Sequence, residues 1–256
     1  MVISVHDRIR SSDVVDPSSL SIDEKKSFID SLYQLHSRIF DGVEKKNFIS
    51  YVVESPADWT RIRVYKNKIN EWVGYCAVHR FKVHVFDRSC VIIRAEAGIL
   101  REYRGRSQTL WFGFIKAINY RLRHPFCALY YLGSFVHPSV SYMFSRYFGE
   151  YYPRADTPIP AQLKDFMLEL ANIFHIEAVE GRDVLVREVG WITKESTDDR
   201  RFWRNHTHPM VKFYLKTNPG YTNGNGLLML VPLTFRNIFM SLARYLNNKI
   251  RKCLSQ

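Results

Sequence analysis

The chain has 256 residues, 46% hydrophobic and 14% aromatic, enough apolar side chain to offset the entropy of ordering a domain, which argues against a disordered polypeptide. Lys and Arg outnumber Asp and Glu by 37 to 25, and the net charge of +12 draws anions: nucleic acid, an anionic membrane, a phosphate-bearing small molecule or an acidic carrier protein. No run of five basic residues marks a nucleic-acid arm, and Cys76, Cys90, Cys127 and Cys253 are too scattered for a zinc ribbon or a disulfide framework.

The first sixteen residues are charged and lack an apolar core, so no secretory signal is expected. No stretch reaches the roughly 18 apolar residues that cross a bilayer. A cytoplasmic setting with reduced cysteines is the expectation. Residues 1–20 read as a polar leader. Ser21 and Glu24 then form a capping box ahead of Ile22, Phe28, Ile29, Leu32, Leu35 and Ile39, predicting a helix that ends near Gly42. A second short helix is predicted over 43–53.

From Trp59 the apolar period falls to two. Ile62 and Val64, a turn at 67–70, then Trp72, Gly74, Cys76 and Val78 predict an antiparallel strand pair; 82–86 and 90–100 predict another. Residues 104–108 are a turn of basic and small residues. Leu110, Trp111, Phe114, Ile115, Ile118 and Leu122 recur at helical spacing until His124 and Pro125 stop the helix. The apolar run 126–135 predicts a buried strand, and 139–147 a helix closed by Gly149.

Pro153, Pro158 and Pro160 mark a boundary. Beyond it, 163–174 is expected to be helical, 183–189 a strand, 198–204 and 209–215 short helices, 218–226 a turn-rich loop, and 227–233 a short apolar run. The segment 233–254 is amphipathic: Phe235, Ile238, Phe239, Leu242, Leu246, Ile250 and Cys253 share a face, with Arg236, Arg244, Lys249, Arg251 and Lys252 around the rest. It is expected to pack that face on its own domain, with contact to an anionic membrane as the second reading.

The order strand, basic turn, helix over 94–110 sets unpaired helix N–H groups beside Arg104 and Arg106, an arrangement suited to a pyrophosphate. Here residues 59–154 resemble the acyl-CoA-binding core of the GNAT N-acyltransferases, which carry Arg/Gln-x-x-Gly-x-Gly/Ala at the end of their fourth strand. Arg104, Ser107 and Thr109 take the matching positions, so both family glycines are replaced. The replacement leaves two readings, a more distant pyrophosphate or an acyl-carrier-protein thioester in place of acyl-CoA, as in the N-acyl amino acid synthase-like branch.

The resemblance implies an α/β (α+β) fold with a central mixed, mostly antiparallel sheet flanked by helices. It divides the chain into an acyltransferase core over 21–154 and an α-rich C-terminal extension over 155–256. It also implies N-acyl transfer from an acyl thioester to an amine, with the donor at Ile99, Leu100, Arg104, Gly105, Arg106, Ser107, Gln108 and Thr109. Glu96 stands where the family often has its general base, and His79 and His137 are rival bases. The family's general-acid Tyr would fall near Ser145, leaving Tyr142 and Tyr147 as substitutes.

Structural readings stand beside these. Glu96 can pair with Arg94 or Arg101, and His206-x-His208 lacks the third ligand of a metal site, so no metal is expected. Ser134 ahead of His137 lacks the Gly-x-Ser-x-Gly frame of a nucleophile. An inactive GNAT-like module that binds a partner protein or anionic membrane is the alternative function; nucleic-acid binding has charge and aromatics in its favour but no motif.

Overall fold

The computed structural model describes residues 8–105 and 108–254, with side chains as far as Asn248. Among the described residues the strands are β1 (Ser11–Val15), β2 (Phe40–Asp41), β3 (Trp59–Lys66), β4 (Trp72–Val85), β5 (Arg88–Ile99), β6 (Leu129–Phe135), β7 (Val186–Glu188), β8 (Ile192–Thr193) and β9 (Asn225–Pro232). The helices are α1 (Ile22–Ile39), α2 (Lys45–Phe48), α3 (Gln108–Arg123), α4 (Pro138–Tyr147), α5 (Ala161–Ile173), α6 (Thr197–Arg204), α7 (Pro209–Thr217) and α8 (Phe235–Leu254). The class is α/β (α+β), as expected: a seven-stranded sheet in the order β1-β3-β4-β5-β6-β9-β7, with helices on both faces and β2 and β8 paired apart from it. Among the described residues, no helix is long and apolar enough to cross a membrane.

Every pairing in the large sheet is antiparallel except β5 with β6. Those two pair only where Val91, Ile92 and Ile93 lie beside Leu129, Tyr130 and Tyr131. Beyond them the strands diverge, while β4 follows β5 to Gly74 opposite Ile99, and β9 follows β6 to Leu227 opposite Phe135. A wedge therefore opens between the C-terminal halves of two parallel strands.

Alternation fixes which helices face each side of the wedge. Tyr75 meets His36 of α1, with its hydroxyl 2.8 Å from His36 Nδ1, whereas its neighbour Cys76 meets Thr109 of α3. On β5, a Cβ at Gly98 would lie 2.7 Å from Phe40 at the end of α1, while Ala97 faces α3. Phe174, just past α5, lies against Phe81 and Arg94 on the α1 side. Helices α1 and α5 thus cover one face; α3 and α4 cover the other.

Local sequence accounts for the elements. The Ser21 capping box opens α1, whose Leu32, Leu35 and Ile39 are buried at helical spacing. Pro138 occupies the first turn of α4, where a missing N–H costs nothing, and His137 caps it.

The structure departs from the sequence reading at several places. The short β2–β8 pair was not expected, and α4 is capped at Phe148 rather than by Gly149. Ser11–Val15, within the expected leader, is an edge strand on β3; its polar, exposed residues carry no alternation to read. The two strands expected over 72–86 are one, because β5 pairs without a break from Val85 to Gly74. The strand expected from 126 starts at Leu129, and Phe126 lies fully exposed in the turn that Pro125 begins. Asn225–Pro232 is an interior strand, and its five residues Leu227, Leu228, Met229, Leu230 and Val231 are all fully buried. Finally, α8 packs through Asn237, Ile238 and Ser241, which are buried, while Phe235, Phe239, Leu242 and Leu246 of the expected apolar face meet solvent. Asn237 makes this possible by accepting from the Gly149 and Glu150 N–H groups and donating to the Glu150 and Pro232 carbonyls. Ile250 and Cys253 lie outside the described side chains.

Candidate active site

On the α3–α4 side the wedge encloses an apolar chamber of about 170 Å³. Its walls are Ala95 and Ala97 of β5, Gly113 and Phe114 of α3, and Val140, Phe144 and Phe148 of and beside α4. The small residues of β5 and α3 leave the space, and the aromatic residues around α4 close it.

The polar side chains at this apolar wall are the Tyr131 phenol, the Cys76 thiol and Thr109; Ser134 also borders the space, but alternation along β6 puts its side chain with Tyr130, which packs on Phe166 of α5, on the other face of the sheet. Ser134 Oγ is buried with no hydrogen-bond partner, an arrangement that costs about 1–3 kcal/mol if nothing satisfies it. Burial, with a smaller contribution from Glu96, pushes the Tyr131 phenol well above its ordinary range, so it stays protonated and able to donate. Burial likewise raises the Cys76 thiol, which makes it a poor nucleophile; its sulfur lies 3.5 Å from the Thr109 carbonyl oxygen.

The opposite face of β5 carries Glu96. Its Oε2 lies 2.8 Å from His79 Nε2 on β4, in an alignment too poor for a hydrogen bond. Its Oε1 lies 3.9 Å from the Arg94 guanidinium. His79 Nδ1 is 2.9 Å from the Thr60 hydroxyl, so Thr60 and Glu96 bracket the ring. The buried Glu96 Oε2 makes no hydrogen bond, and the side chain is 15% exposed at the edge of the wedge.

His137 sits at the end of the other splayed strand. The Ser139 N–H donates to its Nδ1, which leaves Nε2 as the protonated nitrogen donating to Glu195 at 3.0 Å. Both ring nitrogens are thereby engaged. Burial works to raise the Glu195 pKa, but hydrogen bonds from His137 and Arg200 outweigh it and hold the carboxyl below the usual range.

The basic turn is also engaged. Arg104 donates to the Ile99 and Lys194 carbonyl oxygens, and Arg101 forks onto Asp199 at 2.6 and 3.3 Å. Leu100 is buried and donates its N–H to the Val73 carbonyl. Gly105 has φ +96°, a backbone region that favours glycine, and faces open space. Gln108 begins α3 with a buried, unpaired Oε1, and Thr109 lines the chamber. Arg106 and Ser107 lie outside the described residues. The segment 194–200 thus ties the end of β5, through Arg101 and Arg104, to the end of β6, through His137.

The structure brings Glu96 and His79 together and places Thr109 on the chamber, but Tyr142 stands apart from it. Its ring packs against Trp203, His206 and His208. His206 and His208 use Nδ1 to accept the His208 and Met210 N–H groups, and among the described residues no group of three possible metal ligands occurs. Tyr131, Ser134 and Glu195 were not singled out as site residues. The hydroxyl-bearing side chains Tyr130, Tyr131 and Ser134 in the otherwise apolar run 129–135 were the available signal for the first two; Glu195 gave none.

No family profile and no curated protein sequence matches the chain. Solved structures similar to it include Arabidopsis thaliana NAA60 in complex with acetyl-CoA, at 10% identity over 87% of this chain and 97% of that one, with a TM-score of 0.37. Escherichia coli ElaA is 14% identical over 56% of this chain and 92% of its own, with a TM-score of 0.31. A conserved Enterococcus faecalis protein described as a probable N-acyltransferase is 10% identical, with a TM-score of 0.36; the match takes in 56% of this chain and 32% of that one.

Proposed function

We propose that the protein transfers an acyl group from a thioester, carried by CoA or by an acyl-carrier protein, to an amine. The observation that carries this reading is the wedge between β5 and β6, with an apolar chamber on one face and a carboxylate–histidine pair on the other. An amine approaching from the Glu96 side reaches a thioester carbonyl seated in the wedge. The C–N bond forms as the C–S bond breaks. Glu96 takes the proton the amine loses, His79 and Arg94 hold the carboxylate in place, and the Tyr131 phenol supplies a proton to the departing thiolate.

The donor set fits a thioester arm in two respects. Ser134 Oγ lacks a partner that a pantetheine amide or carbonyl would provide, and the chamber is close to the ~150 Å³ that takes a benzene-sized apolar guest, which suits an acyl chain of about six carbons. The first N–H groups of α3 remain the place for phosphate.

Calorimetric titration with acetyl-CoA, hexanoyl-CoA and an acylated carrier protein, followed by thiol release in the presence of amines, tests the reading. Saturable binding and amine-dependent release are expected, with Glu96→Gln lowering kcat/KM by about 100-fold or more, within the range of lost general-base catalysis. Binding of none of the three donors overturns it. A second reading, a module that binds without turnover, is favoured by one observation: Arg101 and Arg104 are already occupied by Asp199 and the Lys194 carbonyl. Tight binding with no thiol release decides for it.

A further inference from the structure

Helix α8 presents to water most of the side that its sequence marks for burial, although Ile238 of that side is buried. Phe239 is 72% exposed and Leu246 55%, with Phe235 and Leu242 on the same stripe. Helix α3 lies alongside: its Trp111 ring centroid is 3.9 Å from that of Tyr245, and Arg121 donates to the Leu233 carbonyl while its guanidinium lies 5.5 Å from the Phe235 ring. This neighbour also turns apolar side chains outward, at Ile115 and Leu122, and the turn that follows it holds Phe126 fully exposed. Two adjacent helices that both expose aliphatic and aromatic residues mark an interaction surface rather than scattered exceptions.

Charge identifies what that surface meets. The stretches 103–149 and 200–256 contain sixteen of the 37 Lys and Arg residues and not one of the 25 Asp and Glu residues. The rest of the chain therefore has more acids than bases, and all of the net positive charge belongs to these two stretches, which hold α3 and α8. Arg123 and Arg236 are exposed among the apolar side chains, and the sequence of α8 continues with Lys249, Arg251 and Lys252. A second copy of the same face would oppose cation to cation with no acid to relieve it. Nucleic acid would satisfy the cations but leave Ile115, Leu122, Leu242 and Leu246 without partners, because aliphatic side chains do not stack on bases as aromatics do.

We propose that the α3–α8 face docks on an anionic membrane surface, with Phe126, Phe239, Leu242 and Leu246 among the acyl chains and the arginines at the level of the lipid phosphates. A surface helix with an apolar stripe and a cationic surround binds in this way, and the apolar and electrostatic contributions act together. This proposal does not depend on acyl transfer. It leaves the wedge on other faces of β5, β6 and α3 free to work at the membrane or away from it.

Co-sedimentation of the full chain with phosphatidylcholine vesicles, and with vesicles containing 30% phosphatidylserine, tests it. The expected result is binding to the anionic vesicles at least tenfold tighter than to the zwitterionic ones, weakened by 0.5 M salt. Phe239→Asp combined with Leu246→Asp is expected to reduce it at least tenfold with an unchanged melting temperature, since both side chains are exposed. Arg123→Gln combined with Arg236→Gln is expected to weaken it severalfold, in a way that inorganic phosphate at millimolar concentration does not reproduce. Equal sedimentation with and without anionic lipid overturns the proposal. So does a dimer in sedimentation velocity, or RNA binding, that the Phe239/Leu246 variant abolishes while vesicle binding persists.

Discussion

A buried, unpartnered hydroxyl is costly to keep, and Ser134 keeps one. Ser134→Ala is therefore expected to raise stability, by about 1 kcal/mol in a urea melt, because it removes a group that the fold leaves unsatisfied. If the same change weakens binding of a thioester donor, the hydroxyl is retained for that ligand; if donor binding is unaffected, Ser134 has no part in the site. His36 makes a contrasting case. Its ring is 1% exposed, and burial holds its pKa down to about 4. The unfolded chain takes up a proton near pH 6.5 that the folded chain refuses until about pH 4. Stability attributable to His36 is thus complete above pH 6.5 and declines by up to about 3 kcal/mol as pH falls toward 4. Melts across that window should show the loss in the native protein and a shallower slope in His36→Gln.

At the level of elements, the 194–200 segment acts as a tie across the open ends of β5 and β6. Glu195 and Asp199 both lie below the usual carboxylate range, so the tie is strong above that range and slackens as pH falls through their lowered values. Arg101 cannot grip Asp199 and a donor phosphate with the same donors. Asp199→Asn is accordingly expected to lower the donor KM about two- to fivefold with little change in kcat, the scale of one partly exposed ion pair. An unchanged KM would mean that Arg101 serves only to hold the tie. This element was not legible in the sequence as a functional part. A helix over 198–204 is predicted from the sequence and Thr197–Arg204 forms, yet the partners of this segment, Arg101 and His137, lie far away along the chain, and spacing says nothing of such pairings. The strands show the same limit. Period two located β3 and the strand expected over 90–100, and helical spacing located α1 and α3, because each pattern is local. Ser11–Val15 and Asn225–Pro232 are strands through the neighbours they pair with, β3 and β6, and Asn225–Pro232, apolar on both sides, has no alternation to betray it.

For the whole molecule, the division of charge is as informative as the fold. Net charge alone suggested several anionic partners; only the structure shows that acid-free stretches supply the two helices whose apolar side chains face outward. The candidate site was partly legible in the same sense. Glu96 and His79 could be proposed one by one from strand positions, but their meeting at 2.8 Å required the β4–β5 register, and the chamber behind them required the divergence of β5 from β6.

That divergence leaves β6 dependent on a partner made much later. Its antiparallel neighbour, β9, begins at Asn225, about ninety residues after Phe135 ends β6. At ribosomal rates of roughly 5–20 residues per second, the nascent chain spends on the order of 5–20 s with an apolar strand edge and the floor of its future chamber uncovered. The protein emerging from the ribosome is therefore a natural client for a chaperone that shields strand edges during translation.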